Sequence, residues 1–97
     1  MAADNMWQMK IMPTFYKSFH HVDPEVRKTI AEFLEEHHSG IDNPFKLTNI
    51  KKLTGWPSCY RLRFANYRVG VELDRKGKII LFRYVGTRGD FYKHFPG

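Results

Sequence analysis

The chain has 97 residues, room for one compact domain around one core and not for two. Apolar residues make up 42% of it and aromatic residues 15%, which excludes a disordered polymer, and the single cysteine, Cys59, excludes an intrachain disulfide framework. The formal net charge of +6 suits a polyanionic partner, either nucleic acid or an acidic protein.

Residues 1–6 are small and polar for the most part and are expected to be disordered, with one domain spanning 1–97. Trp7 to Pro13 mixes apolar and polar residues and reads as a first strand ending at or before Pro13. Phe15, Phe19 and Val22 then fall on one face of a short helix. "VDPE" starts a second helix: Asp23 suits the N-cap, Pro24 the first helical position and Glu25 the positive helix end. Val26, Ile30, Phe33, Leu34 and His37 keep helical spacing, and Ser39-Gly40 supplies the stop. An α-hairpin is therefore expected. Ile41 to Pro57 shows no long periodic run and reads as a connection that packs a few apolar residues, with Lys46, Lys51 and Lys52 among them.

Three strand-like runs follow, Cys59–Phe64, Tyr67–Leu73 and Ile79–Val85, the last two separated by "DRKGK". The order β-α-α-β-β-β predicts an α+β domain, with helices on one face of a small, largely antiparallel sheet. No apolar run is long enough for a transmembrane helix and no signal-peptide pattern opens the chain, so a cytoplasmic protein without membrane contact is expected.

Arginine is an unusual strand residue, yet "YRLRFANYRVGVEL" carries three. Alternation places Tyr60, Leu62 and Phe64 on one face and Arg61 and Arg63 on the other. If Ala65-Asn66 is a two-residue loop, Phe64 faces Tyr67, Leu62 faces Val69, Arg63 faces Arg68, and Arg61 faces Gly70. Like charges across a sheet repel, so such a pair asks for a purpose. A cluster of forked donors around a glycine, with nothing bulky at its centre, would match a phosphate.

The terminal "YVGTRGDFYKHFPG" adds Arg88, Lys93 and aromatic rings to that charge. Cations interleaved with rings suit single-stranded nucleic acid, which presents both phosphates and unstacked bases. Of these rings Phe91 and Phe95 are candidates for anchoring a tail to the core, leaving Tyr92 exposed. The histidines are scattered as His20-His21, His37-His38 and His94, and no HExxH or CxxC spacing occurs, so neither a metal site nor another cofactor is expected. His94 stands out only by its place near Tyr92 and Lys93, where a proton carrier could serve a phosphate site.

The sequence resembles the RelE/ParE superfamily, the small toxins of type II toxin–antitoxin systems. The resemblance rests on "LTGWPSCYRLRFANYRVGVELDRKGKIILFRYVGTRGDFY", where a leucine–glycine lead-in, a YRLR-type strand, a YRV-type strand, VGxR and a terminal DxY-like ending occur in that order. It implies an RNA endonuclease that cleaves messenger RNA in the ribosomal A site, without metal, by attack of a ribose 2′-hydroxyl on the adjacent phosphate. It also implies a cognate antitoxin as partner, the toxin being a monomer alone and a hetero-oligomer with that antitoxin.

Carried over by motif, Arg61 and Arg63 match the basic pair of the first such strand, Arg68 the YR arginine, Arg88 the VGxR arginine, and Tyr92 the terminal tyrosine. Arg68 and Arg88 would then hold the scissile phosphate. Tyr92, Arg61 and His94 are candidate proton carriers, Lys93 is a possible addition, and Lys46, Lys51 and Lys52 would meet RNA or ribosome. Two other readings fit the same residues: a ParE-like inhibitor of DNA gyrase with this fold, and a basic RNA-binding module without catalysis.

Overall fold

The structure is a computed structural model that describes residues 5–96, so part of the expected disordered stretch 1–6 lies outside the described residues. The elements are β1 (Gln8–Ile11), α1 (Pro13–Phe19), α2 (Pro24–Glu36), a 3₁₀ turn (Pro44–Lys46), β2 (Ile50–Lys52), β3 (Cys59–Phe64), β4 (Tyr67–Asp74), β5 (Ile79–Thr87) and α3 (Arg88–His94). The five strands form one sheet in the order β1-β5-β4-β3-β2. All neighbours are antiparallel except β1, which lies parallel to β5 on the edge. The α+β reading holds, and the structure adds two elements to it: β2 inside the long connection and α3 in place of the tail.

The β3–β4 register is the one that a two-residue Ala65-Asn66 loop dictates. Phe64 faces Tyr67, Leu62 faces Val69, Arg63 faces Arg68, and Arg61 faces Gly70. One set of alternate side chains therefore builds the main core, where Leu62, Val69 and Val71 are buried with Phe15, Ile30, Ile80 and Phe82 from the helices and β5. Burying each such side chain is worth about 1.5–3 kcal/mol, which fixes the register against a one-residue slip. α1 and α2 cover this face.

β5 does not alternate throughout. Its register against β4 shifts between Gly70 and Val71, so that Gly70 pairs with Tyr84 and Val71 with Phe82 while Arg83 is skipped. This bulge lets Phe82 and Val85, three residues apart, both enter the same core. Ser18 of α1 closes the arrangement: its Oγ accepts from the Val85 N–H at 3.0 Å.

One local expectation needs correction. Asp23 stands at the N-cap of α2, but its side chain caps nothing; its carbonyl takes the Arg27 N–H, and its own N–H donates to the Tyr67 hydroxyl. The sheet's second face is partly covered. α3 crosses part of it, and Phe91 and Phe95 form a smaller core there with Leu53 and Cys59, against a half-buried Tyr84. Burial, and then the Glu72 carboxylate, push the Cys59 thiol up, while Arg83 and Ser58 partly offset this. Cys59 is a buried packing residue.

Candidate active site

α3 is short, but its i, i+4 pairs divide its work three ways. Phe91 and Phe95 face the sheet, both almost fully buried. Asp90 and His94 face β5: the Tyr84 hydroxyl donates to Asp90 Oδ2 at 2.5 Å, His94 Nε2 lies 3.5 Å from Asp90 Oδ1, and the His94 ring stacks on Tyr84 at 4.8 Å. Arg88 and Tyr92, the third pair, line a cleft toward β2 and β3.

That cleft has a volume of about 430 Å³ and is lined by Lys51, Lys52, Leu53, Thr54, Trp56, Arg61, Arg68, Arg88, Tyr92 and Pro96. Five of these are cations, and none is an acid. The nearest strand carboxylate on this face, Glu72, is engaged elsewhere, accepting from Arg83 at 2.6 Å. Uncompensated positive charge with a partly enclosed shape is what concentrates an anion.

The backbone around β2 holds Arg61 in place. Its Nη1 donates to the Asn49 carbonyl at 3.0 Å, the same carbonyl that receives the Arg63 N–H. Burial, and then the Arg68 guanidinium, lower the Arg61 pKa from its ordinary value, with Arg63 adding to this and Tyr92 opposing it. A charge held beside like charges is relieved when an anion arrives.

The structure thus brings together Arg61, Arg68, Arg88, Tyr92, Lys51 and Lys52, and leaves the other sequence candidates outside. Arg63 is exposed, with its Nε donating to the Ala65 carbonyl at 3.3 Å. Lys46 sits in the 3₁₀ turn, and Lys93 is exposed on α3; neither lines the cleft. His94 lines a different cavity, with Lys17, His21 and Arg83.

One structural expectation fails: Gly70 is not an open floor. The Phe95 ring lies directly over it, so the phosphate-sized space lies beside the glycine rather than above it. The sequence reading also gave no role to Asn49 or Trp56. Trp56 carries a visible signal, a large aromatic directly after a glycine in a polar loop; Asn49 acts through its backbone carbonyl and leaves none.

No protein-family model matches the sequence. The chain is similar to the toxin RelE3 of Methanocaldococcus jannaschii, 41% identical over 91 residues that cover 91% of this chain and 100% of that protein. Among solved structures it is similar to a RelB–RelE antitoxin–toxin complex from Methanococcus jannaschii, with a TM-score of 0.72 and 37% identity over 89% of this chain and 98% of that one. The free mutant form of the Escherichia coli toxin RelE shares the fold, with a TM-score of 0.68 at 19% identity over 92% of this chain and 93% of that one. The chain belongs to the RelE toxin family of type II toxin–antitoxin systems.

Proposed function

We propose that this protein is a ribosome-dependent mRNA endoribonuclease that stops translation. The observation that carries the reading is the convergence of Arg61, Arg68, Arg88 and Tyr92 on one cationic cleft. In the proposed reaction a ribose 2′-hydroxyl gives up its proton as its oxygen bonds to the adjacent phosphorus, and the P–O5′ bond breaks as a proton reaches O5′, giving a cyclic phosphate and a free 5′-hydroxyl. Negative charge grows on the non-bridging oxygens along the way. Arg68 and Arg88 offer forked donors to those oxygens from two different elements, and Arg61, held at Asn49, adds a third. Tyr92, 54% exposed, orients a base and has a hydroxyl available for proton transfer.

Family membership supports dependence on the ribosome and cleavage in the A site. It supports the partner as well: the solved RelB–RelE complexes support a cognate antitoxin that binds this chain into a hetero-oligomer and silences it. The protein acts in the cytoplasm, where ribosomes are. No helix among the described residues is long and apolar enough to cross a membrane.

The test is ribosome-programmed mRNA cleavage alongside growth arrest on expression. Arg68→Ala and Arg88→Ala are expected to lose about 10²–10³ in rate while keeping the fold, the scale of losing one charge-stabilising donor. A fully toxic Arg68→Ala protein would remove the phosphate clamp from the mechanism. Inhibition of purified gyrase without cleavage would favour the ParE-like reading. Salt-sensitive RNA binding with neither effect would favour a plain RNA-binding module.

A further inference from the structure

We infer that Trp56 is a second base-stacking platform, so that the cleft grips two unpaired nucleobases, one on Tyr92 and one on Trp56. The inference deepens the endoribonuclease reading and rests on it for the identity of the ligand as single-stranded RNA.

Three observations carry it. First, Trp56 is 46% exposed, although most large apolar side chains of this protein are buried; Tyr16 and Tyr92 are the other exposed large rings among the described residues. Tyr16 lies on α1, whereas Trp56 and Tyr92 line the same cleft as the five cations.

Second, the ring stands on a fixed base. The Trp56 N–H donates to the Leu53 carbonyl at 3.2 Å, the Trp56 carbonyl accepts from the Cys59 N–H at 3.2 Å, and the Leu53 N–H donates to the Cys59 carbonyl at 2.9 Å. Gly55, at φ 83, makes the turn that a side chain would strain. Leu53 and Cys59 are buried in the small core beneath. A ring on such a stem loses little freedom on binding, so stacking is not offset by ordering the loop.

Third, the indole is free of polar and aromatic partners among the described residues. Among the described residues its N–H makes no hydrogen bond and its ring pairs with no other aromatic, whereas Trp7 is buried and packs edge-on to Phe45. An indole left unpartnered beside five cations matches the needs of an unstacked base next to its phosphates.

The chain's two tryptophans make the test direct, because Trp7 is buried and Trp56 is the exposed reporter. The probe is a short 2′-O-methylated single-stranded oligoribonucleotide, which cannot supply the attacking hydroxyl. Binding is expected to quench the Trp56 emission. Trp56→Ala is expected to lose the quench and weaken binding about 5- to 150-fold, the measured range for one base–aromatic stack. Its salt dependence should match wild type, because an indole displaces no counterions, whereas Lys52→Ala should flatten the dependence. Trp56→Phe should keep most of the affinity, and unchanged Trp7 emission in each Trp56 variant reports the fold.

Unchanged affinity in Trp56→Ala, or equal binding of an oligonucleotide lacking bases, overturns the inference. So does an effect of Trp56→Ala confined to antitoxin binding. Failure of the nuclease reading looks different: quenching and Trp56-dependent binding would persist while ribosome-programmed mRNA stays intact, and the stacking site would stand.

Discussion

A Cβ at Gly70 would stand 2.5, 2.7 and 2.9 Å from three ring atoms of Phe95, far inside the roughly 3.5–4.0 Å at which carbons pack comfortably. Phe95 is buried, so its ring has nowhere to retreat without moving α3. Gly70→Ala is therefore expected to cost about 1–3 kcal/mol of unfolding free energy, read by urea denaturation, and to cost less in a Phe95→Leu background. The register that places Gly70 across from Arg61 was legible from the "AN" loop and the alternation around it. The ring above it was not, because a roof depends on where a distant segment docks. Glu72 is a similar case: alternation puts it on the arginine face, but its partner Arg83 comes from a neighbouring strand whose register the sequence did not reveal.

At the scale of elements, α3 matters most, since it supplies Arg88 and Tyr92. A seven-residue helix is marginal by itself, and Thr87 contributes no side-chain cap. What holds α3 is tertiary: Phe91 and Phe95 beneath it, and the Tyr84–Asp90–His94 contacts at its side. That explains why a helix with Gly89 inside it and Pro96 just beyond it reads as a tail in sequence. Its three i, i+4 pairs were nevertheless present in "RGDFYKHF". β2, at three residues, is too short for any periodicity to reveal.

Burial, then the hydrogen bond to Asp90 and its charge, push the Tyr84 hydroxyl from 10.0 up to about 12. The folded state thus keeps a proton that the unfolded chain gives up first. Stability from this contact is complete below about pH 10 and is lost as pH rises through 12. Tyr84→Phe should be less stable than wild type at pH 8 in chemical denaturation, and the gap between the two should close across that alkaline window.

Over the whole molecule, one sheet keeps two kinds of chemistry apart. The α1 and α2 side is a continuous apolar core, and the α3 side is a small core beside a cationic cleft. With five cations in the cleft, single-stranded RNA binding should weaken with salt at a log–log slope of up to about −3.5, measured with an uncleavable oligonucleotide. A slope near zero would mean that the net charge of +6 serves some other end. The core side was readable because burial imposes alternation on β3 and β4. The cleft was only half readable, because its walls come from strands whose charges are visible and from a loop and a short helix whose positions are set by packing.

The skipped residue in β5 has a reach well beyond its own strand. By adding one residue on one side of the ladder, it inverts the parity of everything that follows, and the chain therefore reaches Thr87 committed to one particular side of the sheet. Arg83 works like a keyed joint: one extra backbone unit lets Phe82 and Val85 share the core and sets the parity with which Gly86 and Thr87 lead into the helix that carries Arg88 and Tyr92.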